Sequence, residues 1–495
     1  MFPIRNMAKV VITLFLILLC LPLFRQGMYI DGVWYAAIAK NMAAGLGSIW
    51  DPALSKTMFL HFREHPPLAI AMQSIFFQLL GDGFWVERLY CMLLGMFQIF
   101  VVFKLWNQDL NSKRVGISKT SLLWFLLLWL MIPVNIGMYK NNLLEAGLTL
   151  FSTLACFGLI RNFQSTSAFM LASLFSSICL IAGFMCNGPT VLFPLAIPFL
   201  HGWLIDRQPM KLLITRTLLL TVIAGLSFLF FFILFPDALL NLKGYFKIQL
   251  MAAITGKRDL SYTGLGHFHI VTIYFQNYIW LSLTGLVAIA LQARVSQQSF
   301  IKLLTSHSKS PWFRFYFLLS LCASLPVGIS HRQDFHYIAA SSPIVLLGMM
   351  HLTHHSFLTL AAHMEAQPIT VLSKNISRLL TVILVSSLAV VVHKSGGYNR
   401  DQKLIEDVKQ GAAFLPKGQL IKGSPQTLGN FDVPLSFARY SFVSFLDPNN
   451  KNDPLSSQYY VYYPNESLPS DYEPVEMGLR FFRLARLSVS ANITK

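Results

Sequence analysis

The chain has 495 residues, 54% hydrophobic and 12% charged, where a soluble domain carries roughly a quarter charged residues. A net charge of +17 would suit a nucleic-acid binder. Most Lys and Arg, however, sit in short gaps between long apolar runs, which excludes that class and an ordinary soluble domain, and leaves a multi-spanning protein whose partners are membrane lipids.

In chain order, Arg5 and Lys9 precede the first apolar run. Leu21-Pro22-Leu23 is no small-residue cleavage site, so residues 8–27 read as an uncleaved first span. Further runs cover 84–105, 118–137, 142–160, 167–186, 189–205, 215–235, 270–292, 312–330, 336–355 and 375–393, giving eleven predicted spans. Pro66–Leu80 is shorter and opens on Pro66-Pro67, so it reads as interfacial or re-entrant. With the N-terminus in the cytoplasm, the inner segments hold 16 basic residues against three acids, Asp109, Asp206 and Glu365. Letting Pro66–Leu80 cross turns most of those cations outward, against the positive-inside rule. No internal repeat is evident.

Residues 1–393 form one predicted membrane domain, whose first outer loop, 29–83, carries interfacial helices. Charge density jumps near Lys394, so 394–495 reads as a small soluble α/β domain outside the cytoplasm. Within it, Asp401–Ala413 reads as a helix, and Gln419–Lys422, Gln458–Tyr463 and Phe481–Leu487 as strands. Asn430 and Pro448–Pro454 mark loops. The fold class is thus an all-α polytopic membrane protein with about eleven spans and a small C-terminal α/β domain. All six cysteines fall in apolar runs, which supports no disulfide framework.

Polar residues unusual for a membrane chain collect on the outer side. They are Asp31, then Arg63-Glu64-His65 ahead of Pro66-Pro67, then Lys140, Asn141, Asn142 and Glu145, then Asn187-Gly188-Pro189, and finally His331 to Tyr337. Ionisable groups near a membrane are costly to keep, and five segments converging on one face weigh more than any one residue. Each also has a plainer reading. Asp31, taken alone, reads first as the N-cap of a helix beginning at Gly32. Glu64 suits a helix N-terminus, Glu145 a pairing with Lys140 or Arg88, Arg88 snorkelling, and His331 and His336 satisfied interface positions. His331, Asp334 and His336 form no recognised metal motif. His354-His355 falls on the cytoplasmic side and reads as solvated.

The order of Asp31-Gly-Val-Trp-Tyr-Ala-Ala-Ile-Ala-Lys-Asn-Met, Glu64-His65-Pro66-Pro67-Leu68 and Arg88-Leu89 resembles the N-terminal signature of GT-C membrane glycosyltransferases. The branch it is most similar to contains protein O-mannosyltransferases and the bacterial lipid A aminoarabinose transferase. Asn141-Asn142-Leu143-Leu144-Glu145, Asn187-Gly188-Pro189 and His336-Tyr337 with Pro343 continue the likeness over about residues 1–355; the tail matches in position only. The resemblance implies a GT-C fold and an inverting sugar transfer from a polyprenyl-phosphate donor to an extracytoplasmic acceptor: lipid A, another glycan or a protein. It implies Asp31 as general base and Glu145 as assisting acid. It further implies donor-phosphate binding at Glu64 and His65, with Arg63, Arg88, Asn141, Asn187, Arg332, His336 and Tyr337 lining the substrate. No cofactor is implied beyond the polyprenyl-phosphate-linked sugar itself, and no metal.

Three positions depart from the family pattern. The second acid that often follows the first is Gly32 here, and the Lys positions before Pro-Pro and Gly-Pro hold His65 and Asn187. Because His65 can be neutral at pH 7, phosphate binding shifts toward Arg63, Arg88 or Arg332. The rival readings are a transporter or lipid flippase and a non-catalytic scaffold. Polarity gathered at one face, the lack of inverted repeats and the soluble tail argue against transport, and the motif order argues against a scaffold. Modest length and the lack of an appended sugar-binding domain point to a bacterial inner membrane, with lipid A, another glycan and a protein all open as acceptor.

Overall fold

The computed structural model describes residues 2–111, 118–257, 266–367, 370–447 and 457–488. Lys113, Arg114 and the loop expected over Pro448–Pro454 lie outside the described residues. The chain divides into two compact units: Met1–Leu23, Cys91–Lys140 and Leu144–Ser395 form one, and Phe24–Tyr90, Asn141–Leu143 and Gly396–Lys495 the other.

The first unit is a helical bundle. Among the described residues, eight helices of the chain are long and apolar enough to cross a membrane: Ile4–Leu23, Val86–Asp109, Thr166–Asn187, Met210–Leu234, Gly266–Val295, Pro311–Ile329, Phe335–Ala366 and Val371–Lys394. Lys119–Leu130 and Pro133–Lys140 make a ninth if counted as one span bent by 73°. The break falls at Pro133, whose ring and missing N–H end one helix and suit the first turn of the next. The chain is a multi-pass integral membrane protein. On Met210–Leu234, Leu218, Leu226 and Ile233 are each 60% or more exposed, a face that water would penalise and lipid does not.

This differs from eleven full-length spans at three places, the first being the bend within 118–137. The run over 142–160 forms a helix only at Glu145–Leu159, because Asn142 adopts a left-handed backbone at φ 56°. The run over 189–205 splits into a 3-10 stretch, Pro189–Ala196, and an α-helix, Ile197–Leu204. Pro189, Pro194 and Pro198 remove donors that one continuous α-helix would need. Two groups expected among the inner loops are also interior. His354 is buried, its Nε2 2.8 Å from the Ser121 hydroxyl. Asp109 is 1% exposed and accepts from Tyr316 Oη at 2.6 Å, with His351 Nε2 at 3.0 Å. A carboxylate that deep persists only with such partners.

The second unit is built on five strands: β1 (Leu420–Gly423), β2 (Ser444–Phe445), β3 (Tyr459–Tyr462), β4 (Tyr472–Val475) and β5 (Arg483–Leu487). Their order is β2-β1-β3-β5-β4. β1 is parallel to both β2 and β3, while β3–β5 and β5–β4 are antiparallel. Helix Gln402–Phe414 matches the predicted one within a residue, and β1, β3 and β5 match the three predicted strands. Helices Pro425–Asn430 and Asp432–Tyr440 were not predicted, and Asn430 closes a helix instead of marking an open loop.

The core of this unit joins Val408, Ile421, Phe437, Phe445, Val461 and Phe482 with Met58 from far earlier in the chain. Nearby, the Thr57 hydroxyl donates to the Phe445 carbonyl. Arg439, 1% exposed, ties the two stretches together with charge. It donates to Asp82 at 2.7 Å, to Glu87 at 2.8 Å and to the Gly83 carbonyl at 3.2 Å. Lys40 Nζ donates to the Ser441 carbonyl and lies 3.8 Å from Asp82. Burial pushes the Lys40 ammonium down to about 7, against the opposing pull of Asp82.

Candidate active site

In the second unit, helix Ile30–Ala43 begins one residue before Asp31, with Tyr29 as N-cap. Asp31 is therefore inside the first turn and is not the cap. A carboxylate there is favoured by the exposed N–H groups of the helix start. Tyr29 brings no side-chain cap of its own. Its backbone N–H donates instead to Asn141 Oδ1 at 3.1 Å.

Gly32 is forced by a close approach. A Cβ added there would lie 1.9 Å from the backbone oxygen of Asn141. The position that often carries a second acid in GT-C enzymes has no room for any side chain here. Asn142 follows at φ 56°, a conformation Asn tolerates better than most residues. Its Nδ2 donates to the Gly32 carbonyl at 3.1 Å.

The segment before Pro66-Pro67 is arranged by aromatic packing and an acid. His65 Nε2 is 3.4 Å from Tyr35 Oη, with the rings edge-on at 5.6 Å. Tyr35 sits one helical turn beyond Asp31, so the helix places both side chains on one face. Glu64 is half-buried beside His65. Arg63 donates to Asp51 Oδ1 at 3.1 and 3.3 Å, so that cation carries its own counter-ion. Arg88 is 3% exposed and donates to the Gly27 carbonyl at 2.9 Å. Of the residues predicted to bind substrate in this unit, the structure joins His65 to Tyr35 and Asn141 to the Asp31 helix.

The first unit holds the remaining candidates. Glu145, 6% exposed, opens helix Glu145–Leu159. Its Oε1 accepts from Asn187 Nδ2 at 2.9 Å and lies 3.5 Å from His336 Nε2. Three segments separated by up to 191 residues in sequence thus meet at one carboxylate oxygen. The other ring nitrogen of His336, Nδ1, is buried without a hydrogen-bond partner among the described residues. Tyr337 packs edge-on against His336 at 4.9 Å. Arg332 pairs with Asp334 at 3.0 Å.

Tyr35, Asp51 and Asp334 belong to these arrangements but not to the predicted site, as does Gln73, whose Nε2 donates to Asn142 Oδ1. Asp51 and Asp334 lie within a dozen residues of their arginines, a charge spacing visible in the sequence. Gln73 is one of the few polar residues in the run Pro66–Leu80 and is 1% exposed.

No family model and no curated protein matches this sequence. Among solved structures, the chain is similar to ArnT from Cupriavidus metallidurans bound to undecaprenyl phosphate, with a TM-score of 0.60, 13% identity and 98% of each chain covered. It is equally similar to ArnT in the apo state, at 0.60 and 12% identity over 98% of each chain. A looser likeness, TM-score 0.47 and 11% identity, covers 88% of this chain and 64% of the archaeal oligosaccharyltransferase AglB from Archaeoglobus fulgidus. The chain shares the fold of ArnT from end to end.

Proposed function

We propose that this protein is a GT-C glycosyltransferase that moves a sugar from a polyprenyl-phosphate donor to an acceptor outside the cytoplasm. The observation that carries the reading is the full-length fold likeness to a structure holding undecaprenyl phosphate. Asp31 in the first turn of its helix is what the chemistry requires of that fold. Asp31 takes the proton from the acceptor hydroxyl or amine as that atom attacks the anomeric carbon. The bond from carbon to phosphate oxygen breaks, and polyprenyl phosphate leaves with the electron pair. The anomeric centre inverts in this single displacement.

His65, Arg63 and Arg88 hold the donor phosphate in the second unit, Glu64 positions that segment from beside His65, and Asn141 orders the Asp31 helix. In the first unit Glu145 is the assisting acid, oriented by Asn187 and His336, with Arg332 and Tyr337 lining the substrate. Residues 394–495 form the extracytoplasmic domain, and the N-terminus is cytoplasmic. The excess of 16 basic residues over three acids in the segments this topology places inside supports it. Lipid A or another envelope glycan in a bacterial inner membrane is the acceptor we favour.

The test supplies detergent-solubilised full chain with radiolabelled undecaprenyl-phosphate-linked mannose, glucose and aminoarabinose in turn, beside envelope glycolipid, glycan and protein fractions. Label should become covalently attached to one fraction. Movement of donor lipid between leaflets of reconstituted vesicles, with no new glycosidic bond, would replace this reading by a flippase.

A further inference from the structure

Behind the first turn of the Asp31 helix lies a pair of buried amides. Gln73, on helix Leu68–Leu80, is 1% exposed and Asn142 is 3% exposed. Gln73 Nε2 donates to Asn142 Oδ1 at 2.6 Å, and Asn142 Nδ2 reaches back to Gln73 Oε1 at 3.4 Å. The same Asn142 nitrogen donates to the Gly32 carbonyl at 3.1 Å. One residue earlier, Asn141 Oδ1 accepts the Tyr29 N–H. The turn Tyr29–Gly32, which contains Asp31, is thus gripped at its first N–H and at its last carbonyl.

Hydrophobic stability does not explain these groups. A buried amide gains little unless every hydrogen bond is made, and an apolar side chain suits position 73 on this apolar helix better. A satisfied buried polar network instead selects one geometry and resists its neighbours. The left-handed Asn142 and the side-chain-free Gly32 are both needed for that geometry, because only they let the two backbones approach.

We infer that Gln73 and Asn142 are positioning residues that fix the first turn of helix Ile30–Ala43 and thereby aim the Asp31 carboxylate at the acceptor. The inference rests on the reading of Asp31 as general base. Neither residue touches substrate. They act on the proton transfer through the backbone at Gly32, so their loss lowers turnover and leaves donor binding in place.

The experiment compares Gln73→Met and Asn142→Gly in the full chain, alone and combined with Asp31→Asn. Glycine accepts the left-handed backbone, so Asn142→Gly removes the amide without straining the loop. The readouts are single-turnover transfer from whichever undecaprenyl-phosphate sugar the wild type uses, and binding of undecaprenyl phosphate itself. Each variant should lose about 10- to 100-fold in transfer, the usual cost of a misaimed reacting group. Undecaprenyl phosphate binding should change by less than about twofold. In the Asp31→Asn background neither should lower transfer further, since there is no base left to aim.

Equal losses with and without Asp31 would make the pair a general structural support and overturn the inference. So would wild-type transfer in Gln73→Met while Asp31→Asn is inactive, and the function proposed above would then stand. A wild type that transfers from none of the sugars overturns both.

Discussion

Arg439 offers the sharpest test of how the C-terminal segment is held. It comes from helix Asp432–Tyr440 and is 1% exposed, with Glu87 at 2.8 Å and Asp82 at 2.7 Å. Arg439→Met keeps much of the stem packing and removes the charge. Glu87, 2% exposed, then becomes a buried carboxylate without its guanidinium. Removing one partner of a buried pair costs about 3–5 kcal/mol. Asp82 is 36% exposed and solvent replaces much of what it loses, so the lower end of that range applies. For a unit of this size each kcal/mol moves the midpoint by roughly 2–4 °C, so a fall of about 6–12 °C is expected. Intrinsic fluorescence of the purified full chain in detergent, followed through heating, measures it. Glu87→Gln added to Arg439→Met should recover part of the loss, because it removes the stranded charge. An Arg439→Met midpoint within about a degree of wild type, or a double variant weaker than the single, would refute the reasoning.

Asp31→Asn should lower single-turnover transfer by about 100- to 10,000-fold with undecaprenyl phosphate binding unchanged, and Glu145→Gln should lower it less. Retained transfer in Asp31→Asn with loss in Glu145→Gln would move the base to Glu145. Gly32→Ala should displace Asn141 and cost about 100-fold in transfer, given the 1.9 Å approach; wild-type transfer would show that the approach relaxes freely. Burial holds Lys40 at about 7, far below its ordinary 10.5. Between those values the unfolded chain holds a proton that the folded chain has released, so unfolding free energy should rise with pH from about 7 toward 10, at up to about 1.4 kcal/mol per pH unit. The penalty is fully present below 7. Lys40→Met should flatten that slope in pH-dependent melts, and an unchanged slope would assign it elsewhere.

Much of the membrane unit is readable from sequence because lipid demands long unbroken apolar runs, and every predicted span has a helical counterpart. The three that fall short are interrupted by local chemistry: prolines in two, and a left-handed Asn142 in the third. In the second unit, legibility fails where elements are short and half-solvated. Ser444–Phe445 is two residues long, and the edge strand Tyr472–Val475 carries Glu473 and Pro474, a composition that reads as loop. Helix Asp432–Tyr440 is set by Phe437 in the core and Arg439 on Glu87, contacts with residues far away in sequence.

The candidate site shows the same division between residue type and partnership. Asp31, Glu145, Asn187 and His336 stand out as polar residues where polarity is costly, so the sequence nominates them singly. That three of them meet at Glu145 Oε1 depends on a helical hairpin and a loop that no local pattern encodes. Gly32 carries the argument further. Against a family pattern it reads as a lost acid. In the structure its missing side chain admits the Asn141 carbonyl, and the neighbouring Asn142 then anchors the Gly32 carbonyl. The departure at position 32 is therefore coupled to the Asn141-Asn142 pair. A chain that restored an acid at 32 would have to withdraw that loop, and would give up the hydrogen bonds that grip the Asp31 turn.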